Sequence, residues 1–177
     1  MDHADHVALL REAVDAGGVW ADVGAGSGAF TLALADLLGP DGRIIAVDRD
    51  RAALDQNLDA VSTRFGTVGI EVRVTDFTGP LELPLLDGLV AANSLHFVAR
   101  DRQVEVVRAL ASHLRPGGSF VVVEYAADHG NPWVPHPFTF ETWERMATVA
   151  GLVGSRQLHR VPGRFLGGIY SAVSRRP

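Results

Sequence analysis

The chain has 177 residues, of which 47% are hydrophobic, and it carries a formal net charge of −5 with a pI near 5.7. This size suits one domain with a substantial core, and the acidic balance argues against a nucleic-acid partner bound through phosphate contacts. Cysteine is absent from the sequence, which excludes disulfides, thiolate metal sites and thiol chemistry.

The apolar segments are all short. No uninterrupted apolar run approaches the length that crosses a bilayer, and the start MDHADH lacks a basic flank followed by an apolar core. We therefore expect a cytoplasmic protein without a membrane partner. The sequence predicts no particular oligomeric state.

The first elements are a helix and a strand. Val7, Leu10 and Val14 recur at helical spacing and predict a short leading helix over residues 6–17. The apolar run that follows predicts a strand over residues 19–23.

Three glycines at alternate positions, Gly24, Gly26 and Gly28, follow that strand. Glycine permits positive φ angles and allows a ligand to approach the backbone closely. Beyond them, Phe30 and Leu34 share one face of a predicted helix, whose first N–H groups would point into the same crevice. The segment predicts a cradle for a nucleotide-like cofactor.

Two cofactor types fit this cradle. Gly24-x-Gly26-x-x-Ala29, with Asp48 roughly 20 residues further on, fits the fingerprint of an NAD-linked oxidoreductase. The acid at Asp22, however, completes the run DVGAGSG, which resembles motif I of class I S-adenosylmethionine (AdoMet)-dependent methyltransferases. A carboxylate beneath the turn suits the cationic amino-acid part of AdoMet and would repel a diphosphate.

Later strands strengthen the resemblance, which covers roughly residues 6 to 174. In the family pattern, Asp48 at the end of the second strand binds the ribose hydroxyls. Asp76, after a third strand over residues 69–74, accepts from the adenine amino group, with Phe77 near the ring. The resemblance implies AdoMet as cofactor, S-adenosylhomocysteine (AdoHcy) as product, and these cofactor-binding residues: Asp22, Gly24, Gly26, Gly28, Asp48, Arg49, Asp76, Phe77 and Asn93.

Each acid also has a structural interpretation. Asp22 could stabilise its own turn, and Asp48 and Asp76 could be helix N-caps that follow strands. The three acids occurring in this order favour the cofactor interpretation.

Short apolar strands alternate with amphipathic helices along the chain. We predict a single α/β domain over residues 1–177, a Rossmann-like three-layer sandwich. Its seven-stranded sheet is expected to be mostly parallel. By resemblance, the last two strands form a hairpin that adds one antiparallel edge strand. The C-terminal arginines indicate a solvated edge for this hairpin: Arg156, Arg160, Arg164, Arg175 and Arg176.

Segments after the fourth and fifth strands should enclose a small-molecule acceptor, above all the loop over residues 126–138. His96 is a candidate catalytic base or substrate contact, and packing against its apolar neighbours or a surface turn is the structural alternative. The candidate acceptor-binding residues are Tyr125, His129, Trp133, His136 and Phe138. The histidines lack a compact spacing, so no metal site is predicted.

The segment AANSLHF departs from the Asn-Pro-Pro-Tyr pattern of methyltransferases that act on nucleobase amines or glutamine amides. We therefore expect no nucleic-acid substrate. The leading hypothesis is methyl transfer by positioning for in-line displacement. A catalytically silent module that binds a ligand or partner is the alternative, and an NAD-linked oxidoreductase is a third.

Overall fold

A computed structural model describes residues 1–163 and 166–177. Its strands all belong to one sheet. They are β1 (Gly18–Val23), β2 (Gly42–Asp48), β3 (Gly69–Val74), β4 (Leu86–Ala92), β5 (Leu114–Tyr125), β6 (Val153–Val161) and β7 (Ile169–Arg175). Their order across the sheet is β3-β2-β1-β4-β5-β7-β6.

The first five strands pair in parallel, whereas β7 runs antiparallel to both β5 and β6. This arrangement confirms the predicted α/β fold with a mostly parallel seven-stranded sheet. The antiparallel strand is β7, which lies one place inside the outermost strand, β6. Strand order reverses between β1 and β4, and ligands of such sheets bind beyond the carboxyl ends of the strands at that point.

Helices cover both faces of the sheet. They are α1 (His3–Leu10), α2 (Ala29–Leu38), α3 (Arg51–Arg64), α4 (Arg100–Ala111) and α5 (Phe140–Ala150), with a short 3-10 helix at Leu95–Phe97. Side chains of α1, α2 and α3 share one core with the sheet, and those of α4 and α5 share the other. The predicted three layers are therefore present.

The leading helix begins and ends earlier than the predicted range of residues 6–17. Asp2 and Asp5 form a capping box in which the backbone N–H of each donates to the carboxylate of the other, at 3.2 and 3.0 Å. This cap begins the helix at His3. Two glycines with positive φ, Gly17 and Gly18, then turn the chain into β1.

Large aromatic side chains fill the core beneath α5. Trp143 is fully buried, stacks on Phe138 and donates from Nε1 to Ser174 Oγ at 3.2 Å. The Tyr170 hydroxyl donates to the backbone carbonyl of Phe138 at 3.0 Å. Phe138, predicted to contact the acceptor, is a core residue because its side chain completes this cluster.

The C-terminal arginines form polar contacts at the sheet edge. Arg156 pairs with Glu12 at 2.9 Å, and Arg175 donates to the backbone carbonyl of Gly117 at 3.3 Å. Arg164 lies outside the described residues. In the part of the chain that the structure describes, no helix combines the length and apolarity that a bilayer crossing requires.

Candidate functional site

The glycine turn after β1 approaches its neighbours closely. A Cβ on Gly24 would lie 2.4 Å from the Cβ of Ser94, and one on Gly28 would lie 2.5 Å from Asn57 Oδ1. A Cβ on Gly26 would meet nothing within 4 Å, so the backbone there is open to a ligand.

A buried hydrogen-bond chain supports this turn from below. Thr31 Oγ1 donates to Asp22 Oδ2 at 2.7 Å, and Asn57 Nδ2 donates to Thr31 Oγ1 at 2.8 Å and to the Gly26 carbonyl at 3.4 Å. Asp22 is 1% exposed, and this burial raises the pKa of its carboxyl to about 7. Asp22 thus lies beneath the turn and bonds to Thr31 of α2, not to the backbone of the turn in the described chain. Its role toward a cofactor stays a prediction.

A cleft of about 430 Å³ opens at the carboxyl ends of β1, β2, β3 and β4. It is lined by six of the predicted cofactor residues, Gly24, Asp48, Arg49, Asp76, Phe77 and Asn93. Asp22, Gly26 and Gly28 are not in its lining. Sequence reasoning missed the rest of the wall, which comes from loop positions without a distinctive pattern: Thr75, Thr78, Ser94, Phe97, Val98, Ala99 and Arg102.

The two acids of the cleft are not helix caps. Asp50, not Asp48, caps α3 by accepting from the Ala53 N–H at 3.1 Å. Asp48 instead accepts from the Gly26 N–H at 2.8 Å and so joins the end of β2 to the glycine turn. Asp76 accepts from the backbone N–H and hydroxyl of Thr78, and these bonds hold the pKa of its carboxyl below its ordinary value.

Two polar atoms of the cleft wall are buried without a partner. Asn93 Oδ1 and Ser94 Oγ make no hydrogen bond to any part of the described chain. Asn93 also adopts a φ of 51°, an uncommon conformation for a residue with a side chain. Unsatisfied buried polar groups are rare in proteins, so these two fit a ligand that brings hydrogen-bonding groups of its own. The acids at the ends of β2 and β3, Asp48 and Asp76, fit the hydroxyl and amino groups of AdoMet.

A second pocket, of about 570 Å³, adjoins the cleft. The two cavities share Asn93 and Phe97. The wall of the second pocket consists of Asn93, His96, Phe97, Tyr125, Asn131, Trp133 and Val134. The structure therefore brings together there three of the residues predicted for catalysis or acceptor binding: His96, Tyr125 and Trp133.

Two other predicted acceptor residues do not line this pocket. His129 and His136 belong to the same loop but are absent from the pocket wall. The backbone N–H of His136 donates to the His96 carbonyl at 3.0 Å, and Gln103 Nε2 donates to the His136 carbonyl at 2.8 Å. His136 thus fastens the loop to the 3-10 helix through its backbone.

His96 forms a buried pair with Glu124. Its Nδ1 lies 2.9 and 3.0 Å from the two carboxylate oxygens, and the side chains are 3% and 0% exposed. Burial raises the pKa of the Glu124 carboxyl, opposed by hydrogen bonds from His96 and from the Tyr125 N–H. An ionised Glu124 can only accept, so it would select the Nδ1–H tautomer and leave Nε2 as the ring nitrogen that accepts a proton. No spacing rule links two residues 28 positions apart, so only the fold reveals the pair.

The fold and the two adjoining cavities are those expected of a class I AdoMet-dependent methyltransferase domain. A family model described as "Methyltransferase domain" matches residues 21–118, more than half of the chain. The chain belongs to this family, which confirms the resemblance found in its motifs.

Similarity to curated proteins is more limited. Over 59 residues the chain is 41% identical to a Thermoplasma volcanium protein named "Probable cobalt-precorrin-6B C(15)-methyltransferase (decarboxylating)". The match spans 32% of this chain and 29% of that protein, so the chain covers less than a third of this relative.

Solved structures share the fold over nearly the whole chain. An S-adenosylmethionine-dependent methyltransferase from Aquifex aeolicus has a TM-score of 0.74 at 18% identity, covering 97% of this chain and 89% of that one. The 1,6-didemethyltoxoflavin-N1-methyltransferase of Burkholderia thailandensis, solved with bound 1,6-didemethyltoxoflavin and S-adenosylhomocysteine, has a TM-score of 0.74 at 20% identity. That match covers 99% and 78% of the two chains.

Proposed function

We propose that this chain transfers a methyl group from AdoMet to a small-molecule acceptor and releases AdoHcy. One observation carries the proposal: a cleft suited to the cofactor adjoins a second pocket lined by His96, whose Nδ1 is paired with the buried Glu124. Family membership supports methyl transfer, and a bound small acceptor in the Burkholderia structure supports the acceptor class. From the sequence pattern alone, we also propose a cytoplasmic location.

In this proposal, the strand ends hold the cofactor. Asp48 binds the ribose hydroxyls, Asp76 accepts from the adenine amino group, and Phe77 packs near the ring. Asn93 and Ser94 bond to the amino-acid part with the two polar atoms that lack partners in the described chain. AdoMet, when bound, supplies a methyl group attached to a positively charged sulfur.

The chain contributes positioning and a base. Holding two reactants in line is worth ~7–11 kcal/mol in well-oriented cases. His96 accepts the proton of the acceptor at Nε2, while Nδ1–H keeps its bond to Glu124, which orients the ring and stabilises its cationic form. Tyr125 and Trp133 contact the acceptor from the pocket wall.

Calorimetric titration with AdoHcy and NAD, followed by an acceptor screen read by mass spectrometry, tests this function. We expect AdoHcy to bind and a methylated product to form. AdoHcy binding without turnover of any acceptor would favour the silent module, and NAD binding with AdoHcy inert would favour an oxidoreductase.

Asp48→Ala tests the cofactor site itself. It should weaken AdoHcy by ~10- to 100-fold, because a hydrogen bond to a charged group contributes about 1.5–3 kcal/mol. The matched control is Asp59→Ala, which removes an exposed carboxylate of α3. Equal affinities of the two variants would show that the ribose lies elsewhere.

A further inference from the structure

We propose that the acceptor is a neutral, planar aromatic compound that carries a hydroxyl group, and that Trp133 holds its ring at the pocket mouth. This inference rests on the proposed function and names the substrate class of its second pocket.

Two aromatic side chains at the pocket are unusually exposed. Trp133 is 79% exposed and Phe97 is 64% exposed, and both line the same cavity. Large aromatic side chains are usually well buried, and a cluster of exposed ones marks a binding surface. An aromatic ring bound between the side chains of Trp133 and Phe97 would remove apolar surface of both residues from water.

An ordered turn presents Trp133. Asn131 Oδ1 accepts from the backbone N–H groups of Trp133 and Val134, both at 2.9 Å. At the start of the loop, Asp128 accepts from the backbone N–H of Thr139 at 3.1 Å and from the Thr139 hydroxyl at 3.0 Å. Because these bonds fix the backbone in advance, ligand binding at Trp133 does not have to order the loop backbone.

The pocket wall offers no ionic partner. Of the described residues, those that line it include no arginine, aspartate or glutamate, and its polar groups are two amides, a phenol, an indole N–H and an imidazole. A charged acceptor would lose water here without gaining a counter-ion, which is unfavourable. A neutral aromatic compound suits the wall because amides and a phenol can bond to its polar substituents.

The buried pair favours a hydroxyl acceptor. An oxygen nucleophile must lose its proton, and a base contributes most in that case. As the hydroxyl O–H bond breaks, its proton moves to Nε2 of His96. The oxygen pair forms the bond to the methyl carbon, and the electrons of the broken carbon–sulfur bond stay on sulfur as the thioether forms.

Calorimetry of the AdoHcy-loaded protein with 2-naphthol, naphthalene and cyclohexanol tests the inference. We expect 2-naphthol to bind more tightly than naphthalene, which lacks the hydroxyl group, and more tightly than cyclohexanol, which lacks the aromatic ring. Trp133→Ala should weaken 2-naphthol roughly 3- to 10-fold. Leu85→Ala is the matched control, since Leu85 is 62% exposed and precedes β4, at the opposite end of that strand from Asn93. It should leave the affinity unchanged.

His96→Phe should remove the preference for 2-naphthol over naphthalene, with AdoHcy affinity reporting that the variant is folded. Equal binding of 2-naphthol and cyclohexanol, or an unchanged affinity in Trp133→Ala, would overturn the inference. If AdoHcy binds and only amines or non-aromatic acceptors are methylated, this inference fails while the proposed function stands. If AdoHcy does not bind the wild-type protein, both this inference and the proposed function fail.

Discussion

At the scale of single residues, the glycines of the motif differ in what surrounds them. A Cβ on Gly28 would meet Asn57, whose amide belongs to the buried chain beneath the turn. A Cβ on Gly26 would point into open space. Both have positive φ, 97° and 52°, so only the neighbours distinguish them. The sequence pattern treats these two positions alike.

Gly28→Ala should therefore destabilise the protein more than Gly26→Ala. Each substitution strains the left-handed backbone by ~1 kcal/mol, and the contact with Asn57 should add roughly 1–3 kcal/mol to Gly28→Ala. Urea denaturation of both variants measures the difference. Equal free energies of unfolding would mean that Asn57 moves aside without cost.

Glu124 should set the tautomer of His96. In the wild-type protein we expect Nδ1 to carry the proton and Nε2 to be free, because an ionised carboxylate at this distance can only accept from Nδ1. In Glu124→Gln the amide can present either an oxygen or an NH₂ group, so both tautomers become populated. Nitrogen-15 NMR of the neutral imidazole, assigned with His96→Gln, distinguishes the two states. A wild-type signal from the Nε2–H tautomer would contradict the proposed proton path.

At the scale of elements, β1 and β3, which lead into the glycine turn and into Asp76, match their predicted ranges closely. β3 has the predicted bounds, and β1 differs by one residue, because short apolar runs ended by turn residues mark them clearly. β5 begins at Leu114, and the segment around Pro116 continues the strand through an irregular register with β4. Local pattern cannot predict such pairing because the partner strand decides it.

The loop over residues 126–138 depends on one close contact. A Cβ on Gly130 would lie 2.1 Å from the carbonyl oxygen of Pro135. Gly130→Ala should therefore displace the turn that carries Trp133 and weaken the acceptor probe 2-naphthol at least ~3-fold. AdoHcy affinity should stay constant, since Gly130 does not line the cofactor cleft. Calorimetry with each ligand measures both effects, and a parallel loss of AdoHcy would show that the two cavities are coupled.

At the scale of the whole molecule, buried carboxyl groups shape the dependence of stability on pH. The Asp22 carboxyl has its pKa raised from 3.8 to about 7, so the folded state keeps a proton that the unfolded chain releases. Its contribution to stability is therefore complete below pH 4 and is lost as the pH rises to 7. Glu124 acts in the same direction, whereas Asp76 and Asp128, with lowered pKa values, act in the opposite one.

Comparing wild type with Asp22→Asn isolates the Asp22 contribution, because the other groups are common to both proteins. The wild type should lose on the order of 3 kcal/mol of unfolding free energy relative to the variant between pH 4 and 7. Asparagine retains an acceptor for the Thr31 hydroxyl, so the turn should persist. Denaturant titrations across this range measure the difference, and parallel curves would show that Asp22 ionises freely in the folded state.

The sequence by itself determined the fold class, the cofactor turn and the acids at the strand ends. Each of these follows from local periodicity or from residues a few positions apart. Only the tertiary structure paired His96 with Glu124, moved Phe138 into the core and placed Phe97 between the two cavities. These outcomes depend on which strand ends and loops meet in space, and side-chain burial is decided by that packing rather than by the residue's own neighbours in the chain.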